Sequence, residues 1–265
     1  MLLVTHQLAQ RLEMAEAEDG VACVDAQRLL NPGAGAISEP FLGGYLLYAG
    51  ADSPFTRALG LGLSGSVKEA DIEHMEAFYH SREAGITVEV SPYADSTLLE
   101  TLSKRSYKAK EFVTVLARQL FASEPIEPVA TARLAEASES ALYADTVVRG
   151  FFGRDEVTLE ERSLGRILAA IPGTLAYFAL VDGVSASCGQ MAFHSGVATC
   201  FGDSTLTAYR RRGAHAAIIR ARIAEAASQG CELITAGTQP GSISQRDFER
   251  QGFQVAYTKV TMVLE

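Results

Sequence analysis

Six residues carry the clearest chemistry in this sequence: Arg210-Arg211-Arg212-Gly213-Ala214-His215, between a strand-like run and an Ala-rich helix. Backbone N–H groups at the start of a helix form a ready anion site, and here three guanidinium groups crowd it. Gly213 removes the side chain that would keep a ligand from the main chain. Such a turn is suited to gripping a pyrophosphate, which points to a phosphate-bearing cofactor.

The turn needs elements to hold it. Ala216 to Gln229 reads as a helix ending at Gly230, with Ile219, Ile223 and Ala226 on its core face. Glu232 to Ala236 reads as a strand, and Gln239-Pro240-Gly241 as a turn. A capping-box pattern, Ser242-Ile243-Ser244-Gln245, opens a short helix that stops at Gly252, and Phe253 to Leu264 closes the chain as strand. Upstream, three strands run in meander fashion over Thr174 to Val181, Ser185 to Phe193 and Val197 to Leu206, joined by turns at Asp182-Gly183 and Ser195-Gly196. Helical stretches precede them over Glu136–Phe151 and Leu159–Ile171.

A Pro/Glu stretch, Ser123 to Pro128, marks a join and suggests two domains, 1–124 and 125–265. Before it, helices are expected over Leu2–Glu18, Val21–Leu30, Val67–Glu83 and Thr97–Arg105. Strands are expected over Gly44–Ala49, Thr56–Leu63, Ile86–Val90 and Phe112–Leu116.

Composition narrows the classes of function. The chain has 265 residues, 48% hydrophobic and 21% charged, enough for a substantial core. No run approaches the roughly 20 apolar residues of a membrane helix. The first residues lack the basic flank and apolar run of a secretory signal. Net charge is −9, with 10 basic against 17 acidic residues in 1–124 and 13 against 15 in 125–265. That balance argues against a nucleic-acid partner. Cys23, Cys188, Cys200 and Cys231 show no metal spacing, so no metal is expected. Three of them lie in or beside apolar strand-like stretches and read as buried thiols of a reducing compartment, and the expected location is cytoplasmic.

Strand, Arg-x-x-Gly turn, helix, strand, short helix, Gly-Phe, strand resembles the acetyl-CoA-binding core of the GNAT superfamily of N-acetyltransferases. The likeness runs over roughly 126–265 and rests on Arg210, Gly213, the following strand and the pair Gly252-Phe253. It implies an α+β fold with a GNAT-like mixed, mostly antiparallel sheet flanked by helices. It also implies acetyl-CoA as co-substrate. The implied coenzyme contacts are Leu206 and Thr207 at the strand end, Arg210, Arg211, Arg212, Gly213, Ala214 and His215 in the turn, and Ser244, Gln245 and Phe248 in the short helix. Two positions depart from the family pattern. His215 stands where Gly or Ala is usual, and Phe248 stands where many relatives carry a tyrosine that protonates the leaving thiolate. General acid help is typically worth about 10²–10⁴-fold. The N-terminal half repeats the order of elements, with Ser106-Tyr107 in place of Gly252-Phe253 and no Arg-rich turn between Ser64 and Lys68. The whole chain therefore resembles a tandem GNAT with a degenerate first domain.

The reaction so implied is direct transfer of an acetyl group from acetyl-CoA to a primary amine, on a small molecule or a peptide, in a ternary complex. Proximity supplies much of the rate. Main-chain N–H groups of Val197–Leu206 would stabilise the oxyanion. Asp203 and His194 are the candidate bases, and Tyr257 or Tyr209 the candidate acids. The structural alternatives are a solvated turn for the arginines and packing roles for Asp203 and His194. An acyl-CoA-binding module without transfer activity is the main functional alternative. Gly60-Leu61-Gly62-Leu63-Ser64-Gly65 matches a dinucleotide pattern, but no repeated βα units accompany it. A fused pair of domains is compatible with a monomer or a homodimer.

Overall fold

The computed structural model describes residues 2–121 and 131–264, so the expected join at 123–128 lies outside the described residues. The fold is α+β, and the chain divides into two compact units. One holds Leu116–Val255; the other holds Leu3–Val115 and the strand residues from Ala256 onward.

The unit containing the N-terminal half begins with helix α1 (His6–Leu30), capped by the Thr5 side chain accepting from Leu8 N–H. Sequence pattern suggests two helices broken near Gly20, yet α1 is continuous. A Cβ on Gly20 would meet Leu47 Cδ1 at 2.4 Å, so the glycine lets the helix pack tightly on the sheet. Strands β1 (Ile37–Phe41), β2 (Gly44–Tyr48) and β3 (Arg57–Leu59) form an antiparallel meander. Helix α2 (Glu69–His80) leads to β4 (Ile86–Val90), parallel to β3, then to α3 (Ser96–Lys104) and β5 (Lys108–Gln119). The strand expected over Thr56–Leu63 stops at Leu59, because Gly60 and Gly62 take left-handed φ of 70° and 74° and turn the chain. The described strands before this turn pair antiparallel, so the dinucleotide pattern has no dinucleotide fold around it.

The other unit starts with β6 (Ala132–Leu134), α4 (Ser140–Phe152) and α5 (Leu159–Ala169). Strands β7 (Leu175–Val181), β8 (Val184–His194) and β9 (Val197–Thr205) then run antiparallel. Their turns are tight and left-handed at Asp182-Gly183 and Ser195-Gly196. Helix α6 (Ala214–Ser228) returns the chain to β10 (Leu233–Thr238), parallel to β9, and α7 (Ile243–Arg250) leads to β11 (Gln254–Leu264). Ile219, Ile223 and Ala226 are buried with Ile218, Ala217, Met191 and Ile234 in this unit's core.

The two halves repeat one local motif. After α7, Gly252 adopts φ 85° and Phe253 N–H bonds back to Phe248 O; after α3, Ser106 adopts φ 67° and Tyr107 N–H bonds back to Leu102 O. Each unit also takes a closing strand from the other half of the sequence. Residues of β11 pair antiparallel with β4, Val260 opposite Val90, while Leu116 O of β5 accepts from Thr235 Oγ1 of β10.

A buried ion cluster seats β11 in its unit. Lys259 Nζ lies 2.5 Å from Glu16 and 2.7 Å from Glu89, and Arg57 lies 2.6 Å from Glu89. Burial pushes the Glu16 carboxyl up to about 7, against the pull of Lys259. Glu89 is also penalised by burial, but Lys259 and Arg57 together outweigh it and hold its carboxyl at about 2. Among the described residues no helix is long and apolar enough to cross a membrane.

Candidate functional site

The parallel pairing of β9 with β10 runs from Val197 opposite Leu233 to Cys200 opposite Ala236. Beyond that, β9 continues to Thr205 and β10 to Thr238, so the strands part. A bulge lies in the same stretch of β9: the β8–β9 register shifts between Cys188 and Gln190, and Gly202 takes φ 65°. Asp203, past the last pair, bonds His215 in the first turn of α6, and His215 bonds Asp247 of α7. Those two contacts tie α6 and α7 to the stretch of β9 beyond its last pair with β10.

The expected anion turn leads into α6. Gly213 is the N-cap residue in the left-handed region, with open space where a Cβ would stand. No side chain caps α6, and its first backbone bond is Ala217 N–H to Gly213 O. The N–H groups of the first turn are thus left for a ligand or solvent. The arginines are less available than their number suggests. Arg210, although exposed, donates to Thr205 O at 3.2 Å and Gly150 O at 2.8 Å, and braces the turn against the end of α4. Arg212 reaches Asp182 at 2.9 Å. Arg211 is exposed and, among the described residues, makes no hydrogen bond.

A charged cluster lies on the α6 side of β9. Asp203 receives Arg222 through both its oxygens, at 2.6 and 2.7 Å, and His215 Nε2 stands 3.0 Å from Oδ2. His215 Nδ1 stands 3.2 Å from Asp247 of α7. Arg222 is fully buried; the His215, Asp203 and Asp247 side chains are 15%, 14% and 19% exposed. Room for the carboxylate comes from Gly189, where a Cβ would meet Asp203 Oδ1 at 2.3 Å. Burial raises the Asp203 carboxyl, but the Arg222 charge and the His215 bond outweigh it and the net direction is down. His215 loses proton affinity by desolvation, yet its bonds to Asp203 and Asp247 win and carry it up to about 9. The bond to His215 is also the largest influence holding Asp247 low.

These contacts give several expected site residues other work. Asp203 is poorly made for a base, because a guanidinium and an imidazole already claim both its oxygens. Phe248 is core: it is 1% exposed, and its ring meets those of His215 and Phe253 edge-on. Tyr257 belongs to the other unit, where its hydroxyl donates to Glu13 at 2.8 Å and burial drives its pKa up. Tyr209 sits in a short turn of helix beneath the Arg212 guanidinium. Gln245 is engaged in capping, accepting from Gly241 N–H and donating to Glu249, while Ser242 accepts from Gln245 N–H. Ser244 is half-buried on α7, and Ala214 is buried at the first position of α6. Leu206 N–H bonds Ala186 O, and Thr207 Oγ1 bonds Gly153 O. His194 ends β8, opposite Val197. Sequence reasoning misses Arg222 and Asp247. Arg222, on the same face of α6 as Ile218, Ile219 and Ala226, is the one visible signal, since a buried arginine needs a carboxylate.

No family model and no curated protein matches the chain. Solved structures do resemble it. A GCN5-related N-acetyltransferase from Kribbella flavida is 18% identical with a TM-score of 0.62, the match covering 92% of this chain and 94% of that one. A tandem GNAT protein from the clavulanic acid biosynthesis pathway is 13% identical with a TM-score of 0.60, covering 98% of this chain and 94% of that one. At such identities the likeness is one of architecture, and the architecture is the fold of the GNAT N-acetyltransferases in its tandem form.

Proposed function

We propose that the protein is an N-acyltransferase that moves an acetyl group from acetyl-CoA directly to a primary amine, with the coenzyme diphosphate held at the start of α6. One observation carries this reading: an uncapped helix N-terminus, fronted by Gly213 with open space beside it, is tied by His215 to the stretch of β9 beyond its last pair with β10. The residues present fit the diphosphate end of the coenzyme. First-turn N–H groups and the exposed Arg211 supply donors, and Arg210 keeps the turn rigid through its two carbonyl contacts. For the rest of the coenzyme the fit depends on His215, which joins that stretch of β9 to α7. The coenzyme supplies the acetyl thioester. The protein supplies positioning and main-chain N–H groups along the free stretch of β9. The unit holding Leu116–Val255 would form the coenzyme-binding domain, with the other unit a degenerate partner domain.

A second reading has its own support. Phe248 offers no proton, and His215 spans Asp203 of β9 and Asp247 of α7. A module that binds acyl-CoA without transferring the acyl group fits those two features.

Calorimetry with acetyl-CoA, CoA and NADPH tests the site first. Acetyl-CoA should bind and NADPH should not. Gly213→Asp places a carboxylate at the helix start, and with Arg211→Ala should weaken binding at least about tenfold, the scale of one lost charge-assisted contact. Unchanged affinity in that double variant would remove the site assignment. Thiol release over a panel of primary amines then separates transferase from binding module.

A further inference from the structure

We infer that His215 is the proton donor to the sulfur that leaves when the acetyl group is transferred. This rests on the acyl-transfer reading above and adds to it the identity of the acid. Breaking a thioester leaves an electron pair on sulfur, and a nearby donor that is already protonated speeds that step. His215 meets the requirement by geometry. Both ring nitrogens face carboxylate oxygens, 3.0 Å to Asp203 and 3.2 Å to Asp247. Ionised carboxylates only accept, so both contacts are satisfied only when the ring carries both protons.

The surroundings make the donor usable. Asp203, on the stretch of β9 beyond its last pair with β10, is fixed by Arg222 and holds Nε2. Asp247 on α7 is the looser partner: its contact is longer, and it is shared with the exposed Arg250 at 2.9 Å. The Nδ1 proton is therefore the one to be given. Arg222 on α6 is the other charge in the cluster and opposes protonation, yet the ring's affinity still rises to about 9. From α7 the other neighbour is the Phe248 ring, which cannot compete as a donor.

In the step, the amine lone pair forms the C–N bond while the C–S bond breaks and its electron pair stays on sulfur. His215 turns Nδ1 from Asp247 and passes its proton to that sulfur. The proton shed by the new amide nitrogen goes to solvent, and solvent returns one to the imidazole. Proton count and charge close over the cycle, with no co-reactant beyond amine and thioester.

The test combines spectroscopy with kinetics. In protein labelled at histidine Cε1, the His215 signal, assigned with His215→Gln, should titrate near pH 9. Saturating acetyl-CoA should shift it and leave His6, His74 and His80 unmoved. In turnover at saturating acetyl-CoA, His215→Gln should lower kcat about 10²-fold at pH 7.5 and should erase the alkaline limb. Adding Phe248→Tyr to that variant should recover tenfold or more. The assignment is overturned by a His215 signal indifferent to bound acetyl-CoA. It is equally overturned by turnover of His215→Gln within about threefold of the parent, or by a loss that is constant across pH. If the parent protein does not bind acetyl-CoA, the transferase reading falls and this inference with it. If it binds but acetylates no amine on the panel, the inference is overturned; if His215→Gln does not fold, His215→Asn serves for both the assignment and the kinetics.

Discussion

Gly189→Ala probes the Asp203 cluster with the smallest perturbation available. The new methyl would stand 2.3 Å from Asp203 Oδ1, 3.0 Å from Arg222 Nη1 and 3.2 Å from Ile218 Cγ2. The glycine backbone itself is ordinary strand, so strain comes only from space. Two responses are open to the protein. It can bend β8 away, an overpacking cost of about 1–3 kcal/mol. Alternatively the carboxylate can slide off a fully buried arginine, and breaking a buried pair costs about 3–5 kcal/mol. The cheaper route will be taken, so the loss should be roughly 1–3 kcal/mol. For a chain of this size that corresponds to a fall in Tm of about 2–12 °C. Thermal and urea unfolding at pH 7 measure it. The control is Gly85→Ala, where nothing stands within 4 Å of the added carbon. Its stability should stay within about 0.5 kcal/mol of the parent, as surface substitutions usually do. A Gly189→Ala protein as stable as that control would refute the packing argument and the tight Asp203–Arg222 pairing beneath it.

Other outcomes follow from the same contacts. His215 binds its proton more tightly folded, near 9, than unfolded, near 6.5, so its stabilisation is complete below pH 6.5 and is lost as pH rises through 9. The difference in stability between the parent and His215→Gln should shrink by roughly 3 kcal/mol between pH 6 and 10, as equilibrium unfolding can measure. Lys259→Met should cost about 3–5 kcal/mol in urea unfolding, because it removes the cation shared by Glu13, Glu16 and Glu89 and leaves Glu89 with Arg57 alone. All four thiols are buried, with Cys23 pushed up to about 12 by desolvation, so a thiol reagent at pH 8 should modify the native protein slowly and the unfolded protein fully.

Local chemistry makes much of this molecule readable in advance. Asp182-Gly183 and Ser195-Gly196 announce two-residue turns because their left-handed conformations suit few other residues. The Ile and Ala spacing of α6 and the Ser242 cap of α7 follow from helix periodicity and from orphan N–H groups. The order of elements is enough to suggest the fold that the solved structures share. Strand β1 is not announced in this way. Ile37 and Pro40 are exposed while Ser38 and Glu39 are half-buried, so the segment has little periodicity of its own and exists because β2 pairs with it.

The amino-acid order by itself determined that an Arg/Gly turn opens a helix behind a meander, because turn conformation and helix starts depend on residues a few positions apart. Only tertiary structure decided what those side chains do. Arg210 became a brace, Asp203 a partner of Arg222, and His215 a link from β9 to α7, since each bond joins residues 5 to 60 positions apart whose meeting depends on packing. The same holds for β11, whose hydrophobic pattern says strand but whose neighbour, β4, is chosen by a lysine that can be buried only where Glu89 and α1 present carboxylates.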